Sequence, residues 1–213
     1  MKKLIFLVFG ILLAHASISQ VRLGLKFSPN LVSSRVDQFS DTLDVEGNGI
    51  NTKFSMGLVM DYAMTDTYYF SSGLIYLPKT VNVRITGENG GTFANAEEVY
   101  NLQYLQVPIS LKLFTNEIQP DLSVYFQVGI SGEVKIFEEA ELEEYVLVEE
   151  FKIFDSSTIL GAGVEYNVGV STTLFGGFTY NRGLANSVNT TIPLDDELAI
   201  RNTAFTIDFG VKF

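Results

Sequence analysis

The sequence predicts an all-β fold, an eight-stranded antiparallel up-and-down transmembrane β-barrel with long extracellular hairpin loops. Three observations carry this: stretches of about ten residues alternate apolar and polar side chains, the chain opens on an export signal, and short connections alternate with long ones. The clearest stretch is TAFTIDFGVKF (203–213), in which Phe205, Ile207, Phe209, Val211 and Phe213 alternate with Thr206, Asp208, Gly210 and Lys212. Period two makes one face of that strand fully apolar and the other small or charged. An apolar closing strand ending on an aromatic residue is the form in which outer-membrane barrels meet their insertion machinery.

Residues 1–19 contain Lys2 and Lys3, an apolar run over 4–14 and small residues at Ser17 and Ser19. This is the three-part plan of a secretory signal peptide, and the apolar run is too short for a spanning helix, which takes about 20 residues. Cleavage is expected between Ser19 and Gln20, with Ala16–Ser17 as the competing site and a retained anchor as the alternative. The domain is then 20–213. Removal of residues 1–19 discards His15, the single histidine, and the sequence has no cysteine, so neither imidazole nor thiol chemistry is left. Loss of Lys2 and Lys3 takes 14 basic residues to 12 against 25 acidic, moving the net charge from −11 to −13. So acidic a chain is a poor partner for nucleic acid.

The first strand sets Val21, Leu23, Leu25 and Phe27 against Arg22, Gly24, Lys26 and Ser28. The second sets Phe54, Met56, Leu58, Met60 and Tyr62 against Lys53, Ser55, Gly57 and Asp61, and the third runs from Tyr68 through Leu74 and Tyr76. In the fourth, Leu105, Val107, Ile109, Leu111 and Leu113 oppose Gln106, Ser110 and Lys112; in the fifth, Val124, Phe126, Val128 and Ile130 oppose Ser123, Tyr125, Gln127, Gly129 and Ser131. The sixth places Leu160, Ala162, Val164 and Tyr166 opposite Gly161, Gly163 and Glu165. The seventh is less regular, with Leu174, Phe178 and Tyr180 opposite Gly177, Thr179 and Asn181, and 203–213 is the eighth.

Connections at 63–67, 115–121 and 167–168 are short, while 29–51, 80–99, 134–156 and 183–202 are long. Short periplasmic turns and long extracellular loops are the outer-membrane arrangement, with both termini periplasmic. VNVRITG (81–87) extends a hairpin toward a turn at Glu88-Asn89-Gly90-Gly91. EVKIFEE and VLVEEFKIF read as paired strands joined near 140–144, with a short helix over 138–145 as the competing reading. A soluble calycin-type barrel with the apolar face inward fits the same alternation. Two aromatic levels favour the membrane: Tyr62, Tyr68, Tyr166 and Phe213 near the short turns, and Tyr76, Tyr100, Tyr180 and Phe205 near the long loops. Gly and Ser at mid-strand on the polar face suit a crowded narrow lumen. The expected location is therefore integral in the outer membrane, with its lipids and the barrel-insertion machinery as partners.

YLQVPISLK (104–112), LGLKFSPN (23–30), SSGLIYLPK (71–79), GAGVEY (161–166) and YNRGLAN (180–186) together resemble the PorT-like outer-membrane β-barrel family of Bacteroidota. They occur in the family's order and cover most of the mature chain. The resemblance implies an eight-stranded barrel; the family's namesake serves type IX protein secretion, and most members have no assigned role.

An eight-stranded barrel is filled by its own side chains, which argues against a diffusive pore. Arg22, Lys26, Asp61, Lys112, Glu165, Asp208 and Lys212 all fall on the polar face and are expected to form an ion-pair network plugging the lumen, the alternative being a proton or ion path. Serine or aspartate hydrolase mechanisms lack their histidine, and Glu133 and Glu165 are the nearest candidates for a carboxylate-only site. Glu138, Glu139, Glu141, Glu143, Glu144, Glu149 and Glu150 form an acidic surface loop, read as solvated rather than as a divalent-cation site because it lacks the EF-hand order of ligands. No catalytic residue, cofactor or metal is assigned. The expected function is a non-enzymatic outer-membrane barrel acting through its protruding hairpins in surface interaction, adhesion or envelope integrity. An accessory barrel of a secretion or transport complex is the alternative, followed by a lipid-modifying enzyme.

Overall fold

A computed structural model describes residues 20–38, 43–89, 92–143, 148–191 and 198–213. The expected signal peptide, 1–19, lies outside them. Eleven strands follow one another: β1 (Val21–Gln38), β2 (Leu43–Gly47), β3 (Asn51–Ala63), β4 (Tyr68–Asn89), β5 (Thr92–Phe114), β6 (Leu122–Glu143), β7 (Val148–Phe151), β8 (Phe154–Asn167), β9 (Thr173–Gly183), β10 (Val188–Thr191) and β11 (Leu198–Lys212). Eight of them close an antiparallel ring in the order β1-β3-β4-β5-β6-β8-β9-β11, with β11 returning to β1. The eight alternating stretches are the membrane-level parts of these eight strands.

The register fixes the barrel's shape. A walk across neighbours from Asn30 passes Thr206, Thr179, Gly161, Gln127, Lys112, Tyr69 and Ala63, and the Ala63 N–H then donates to the carbonyl of Gln20. The circuit comes back to the first strand displaced from residue 30 to residue 20, a shear of ten. At 3.3 Å per residue and 4.8 Å between strands, this shear tilts the strands by about 40° around a backbone cylinder of radius about 8 Å. Side chains fill so narrow an interior.

The connections between Ala63 and Tyr68, Phe114 and Leu122, and Asn167 and Thr173 lie at one end of the ring. Thr65 Oγ1 accepts from the Tyr68 N–H at 3.0 Å, closing the first, and Asp121 takes φ 65° in the second, a conformation its short polar side chain tolerates. The other end is built quite differently. β4 and β5 stay paired from Tyr68–Leu113 to Asn89–Thr92, far beyond the ten or so residues that cross a bilayer. The expected hairpin over 81–87 is therefore present, while Gly90 and Gly91 at its turn lie outside the described residues.

Two prolines interrupt ladders where they offer no N–H, and a third lies just past the end of one. No pair joins β4 and β5 at Pro108, where Ser72 Oγ donates to the proline carbonyl at 2.8 Å instead. Pairing of β1 with β11 skips Ser28 and Pro29, and Ser28 turns its hydroxyl to Asp208. Pro78 lies just past the point where β3 parts from β4, whose edge β2 then takes up at Val83–Gly87.

On the outer wall Leu23, Leu25, Phe27, Leu58, Ile109, Val128, Leu160, Phe178 and Phe209 are all exposed. That is a lipid-facing apolar band, the inverse of a soluble barrel. Tyr62, Tyr68, Tyr166 and Phe213 are exposed at its short-turn edge, and Tyr180 and Phe205 toward the other. Tyr100 departs from the expected girdle. It points inward with 2% exposure, its ring against Phe151 at 5.1 Å, because residue 100 shares the inward parity of Leu102 and Tyr104 on β5.

A second expectation holds only in part. The segments EVKIFEE and VLVEEFKIF pair at their base, through Val134 with Phe154 and the Lys135 N–H with the Ile153 carbonyl, and then part: β6 runs on to Glu143 along β5, and β7 pairs with β10. No helix occupies the described part of 138–145; residues 138–143 are strand.

Candidate functional site

Alternation carries one residue in two of every ring strand into the lumen, and the lumen is layered. At the short-turn end, Lys212 on β11 donates to both Asp61 on β3 and Glu165 on β8. Lys112 on β5 reaches the two oxygens of Asp61 at 3.1 and 3.0 Å. Arg22 sits at the mouth, half-exposed, 3.8 Å from Glu165 and over the Tyr69 ring at 5.6 Å. Outside this cluster opens a vestibule of about 290 Å³ bordered by Arg22, Tyr69, Phe114, Asn116 and Asn167.

The next layer is Asp208, which accepts from Lys26 at 2.9 Å, from Ser28 at 2.6 Å, from Thr179 at 2.5 Å and from Thr206 at 3.2 Å. Asp61, Lys112, Glu165 and Lys212, with Arg22 at the mouth, thus form one cluster, and Lys26 with Asp208 the next. Glycines make room for the aromatic rings packed among them: a methyl group at Gly163 would lie 2.6 Å from the Tyr125 hydroxyl, and one at Gly177 2.8 Å from it. Lys112 lies over Tyr125 at 5.1 Å, and Lys212 over Phe175 at 4.9 Å. A cavity of about 40 Å³, room for no more than a water or two, lies between Lys26, Lys112, Gln106 and Asp208.

Above it is a third cluster that the sequence reading missed. Lys79 donates to Glu133 and, at 3.0 Å, to Asp155. Glu133 also accepts from Gln106 at 3.0 Å, Ser157 at 2.7 Å and Ser131 at 3.2 Å, while Ser187 donates to Asp155 at 3.2 Å. Lys79 lies over the Tyr104 ring at 4.7 Å. The sequence carries the signal: Gly73, Ile75, Leu77 and Lys79 continue one parity of β4 beyond Tyr76. Glu133 and Glu165 do not meet. Each is committed to its own lysine in a different layer, so the suggested carboxylate-only site is not assembled.

The top layer is apolar. Leu77, Val81, Val83 and Ile85 of β4, Tyr100, Leu102 and Tyr104 of β5, Val45 of β2 and Ile200 of β11 form one buried core with Val148, Phe151 and Val188. The small β7–β10 sheet thus packs into the mouth of the long-strand end, and among the described residues the 40 Å³ cavity, the Lys79 cluster and this core follow one another up the barrel.

The acidic segment is a strand and its surroundings rather than a loop. Glu138 pairs with Lys135, Glu141 accepts from Asn101 at 2.7 Å, Glu150 accepts from Asn189 at 2.7 Å, and Glu139 is exposed. The side chains of Glu143, Glu144 and Glu149 lie outside those described. Among the described residues no group of three or more carboxylates or other ligands is placed to hold a metal ion.

The model of the outer membrane protein beta-barrel domain matches residues 15–189. Among solved structures, the chain is similar to the outer membrane protein OprG of Pseudomonas aeruginosa, with 14% identity, a TM-score of 0.54 and coverage of 91% of this chain and 96% of that one. It is similar to the outer membrane protease OmpT of Escherichia coli at 9% identity and the same TM-score of 0.54, covering 92% and 97% of the two chains. At such identities these likenesses show the fold alone. No curated protein matches the sequence.

Proposed function

This chain belongs to the outer membrane protein beta-barrel domain family and is an integral outer-membrane barrel, and from that premise we propose that it is a sealed, non-enzymatic barrel that presents a folded platform at the cell surface. The observation that carries this reading is the apolar core at the long-strand end. The strands beyond the lipid-facing band are not loose connections but a packed body with Tyr100, Leu102, Val148, Phe151 and Val188 at its centre. A chain that merely closed its barrel would need short turns at both ends.

In this reading the short turns and both strand termini are periplasmic, and the platform faces outward, in contact with lipid below and with a surface partner above. The barrel reaches its place through the insertion machinery. The ordered motifs from 23–30 to 180–186 support a PorT-like member from Bacteroidota. An accessory role beside a secretion complex would require stable partners to co-purify with the barrel.

The sequence contains no cysteine, so single replacements report position cleanly. Ala140→Cys on the platform should react with a membrane-impermeant maleimide on intact cells, while Thr115→Cys at a short turn should react only after the outer membrane is permeabilised. Labelling of Thr115→Cys alone on intact cells would invert the orientation and end this reading.

A further inference from the structure

Among the described residues, β6 above the lipid-facing band has a neighbour on one side only. Toward β5, Phe137, Glu138, Glu139 and Ala140 face Gln103, Leu102, Asn101 and Tyr100. Toward β8 the ladder stops at Val134–Phe154, followed by one bond from the Lys135 N–H to the Ile153 carbonyl at 2.7 Å. Beyond that, no described residue pairs with 136–143 on this side. The returning chain has been drawn inward: the Lys135 ammonium holds the Phe151 carbonyl, and β7 joins β10 inside the mouth. Alternate N–H and C=O groups of an exposed strand are left as a template for another strand.

The side chains along this edge select what can add to it. Glu139, Ala140 and Glu141 are exposed, and Ile136, Phe137, Ile153 and Phe154 form an exposed apolar foot below them. A second copy pairing edge to edge would set glutamates against glutamates, which like charges on facing strands disfavour. The bulges at Ile136 and Glu141 add local twist that further limits flat self-pairing. A strand carrying lysine or arginine beside apolar residues meets both the acidic edge and its foot.

We propose that the free edge of β6 takes an extended cationic peptide segment as an added antiparallel or parallel strand, with Glu139 and Glu141 reading its positive charges and Ile136, Phe137 and Phe154 its apolar ones. This names the kind of surface partner and rests on the platform reading above. Main-chain hydrogen bonds supply the docking and the alternate side chains supply the choice.

The test uses the purified full chain in detergent micelles and a fluorescent ten-residue peptide of alternating valine and lysine. Anisotropy should show saturable binding that falls at least tenfold when alternate peptide amides are N-methylated, and at least tenfold when Glu139→Lys and Glu141→Lys are combined. With a peptide cysteine carried as its 2-pyridyl disulfide, the Ala140→Cys thiolate should displace pyridine-2-thione and form a mixed disulfide, and Val128→Cys, on the lipid-facing wall, should not. Heat-modifiable gel migration of each variant reports that the barrel is folded. Absence of saturable binding, or equal binding by the N-methylated peptide, would overturn the proposal. These measurements do not depend on which side of the membrane the platform occupies, so their failure and that of the cell-labelling experiment are separate results.

Discussion

Lys79→Met will leave the barrel severely destabilised, by about 3–5 kcal/mol, because it strands two buried carboxylates. Lys79 is the cation that both Glu133 and Asp155 contact; their other partners among the described residues are neutral, the side chains of Gln106, Ser131, Ser157 and Ser187 and the Ser156 N–H. Those groups donate hydrogen bonds but carry no charge, and the cluster sits where exposure of Lys79 is 4% and of Glu133 2%. The expected readout is a large drop in the urea concentration at which the folded, fast-migrating form is lost in detergent. Combining Lys79→Met with Glu133→Gln and Asp155→Asn should restore part of that loss, since no uncompensated charge is then left buried. If the single variant is as stable as the parent, the cluster does not hold the barrel together.

Phe151→Asp should act on the other layer. Its ring is fully buried against Tyr100, so the change removes about 3–5 kcal/mol of packing and places a carboxylate among Leu102, Val148 and Val188. The β7–β10 sheet should leave the mouth while the ring strands stay in the bilayer, because the register of β1 with β3 and β11 does not pass through residue 151. Limited proteolysis of the reconstituted protein should then cut within 144–153 and leave the lipid-embedded strands protected. Resistance equal to the parent's would mean that Phe151 does not anchor the cap.

The membrane-level barrel was legible because one face of each strand meets lipid. That pressure writes a strict alternation, and the same parity that exposed Leu58, Ile109 and Phe209 placed Asp61, Lys112 and Lys212 inside. Above the lipid the pressure reverses. The interior there is apolar, so Val81, Val83 and Ile85 keep the period that marks the 81–87 hairpin but lose the contrast that marked a lipid face, and nothing in the sequence shows that they share a core with Phe151 and Val188. Tyr100 was assigned to a girdle from residue type and height, although its even number on β5 already turned it inward. Strand extension past Tyr76 would have brought Lys79 into view; what it pairs with depends on β8 beginning at Phe154, which a charged segment such as VEEFKIFDSS does not disclose.

The proposed surface platform differs from a pore in requiring a closed lumen. Three charged clusters, a cavity of about 40 Å³ and an apolar core follow one another from one mouth to the other. Conductance of the purified full chain in a planar lipid bilayer tests this directly. Insertion with no steady current steps above the bare-membrane baseline is the expected result, and reproducible unitary steps from the folded protein would contradict it.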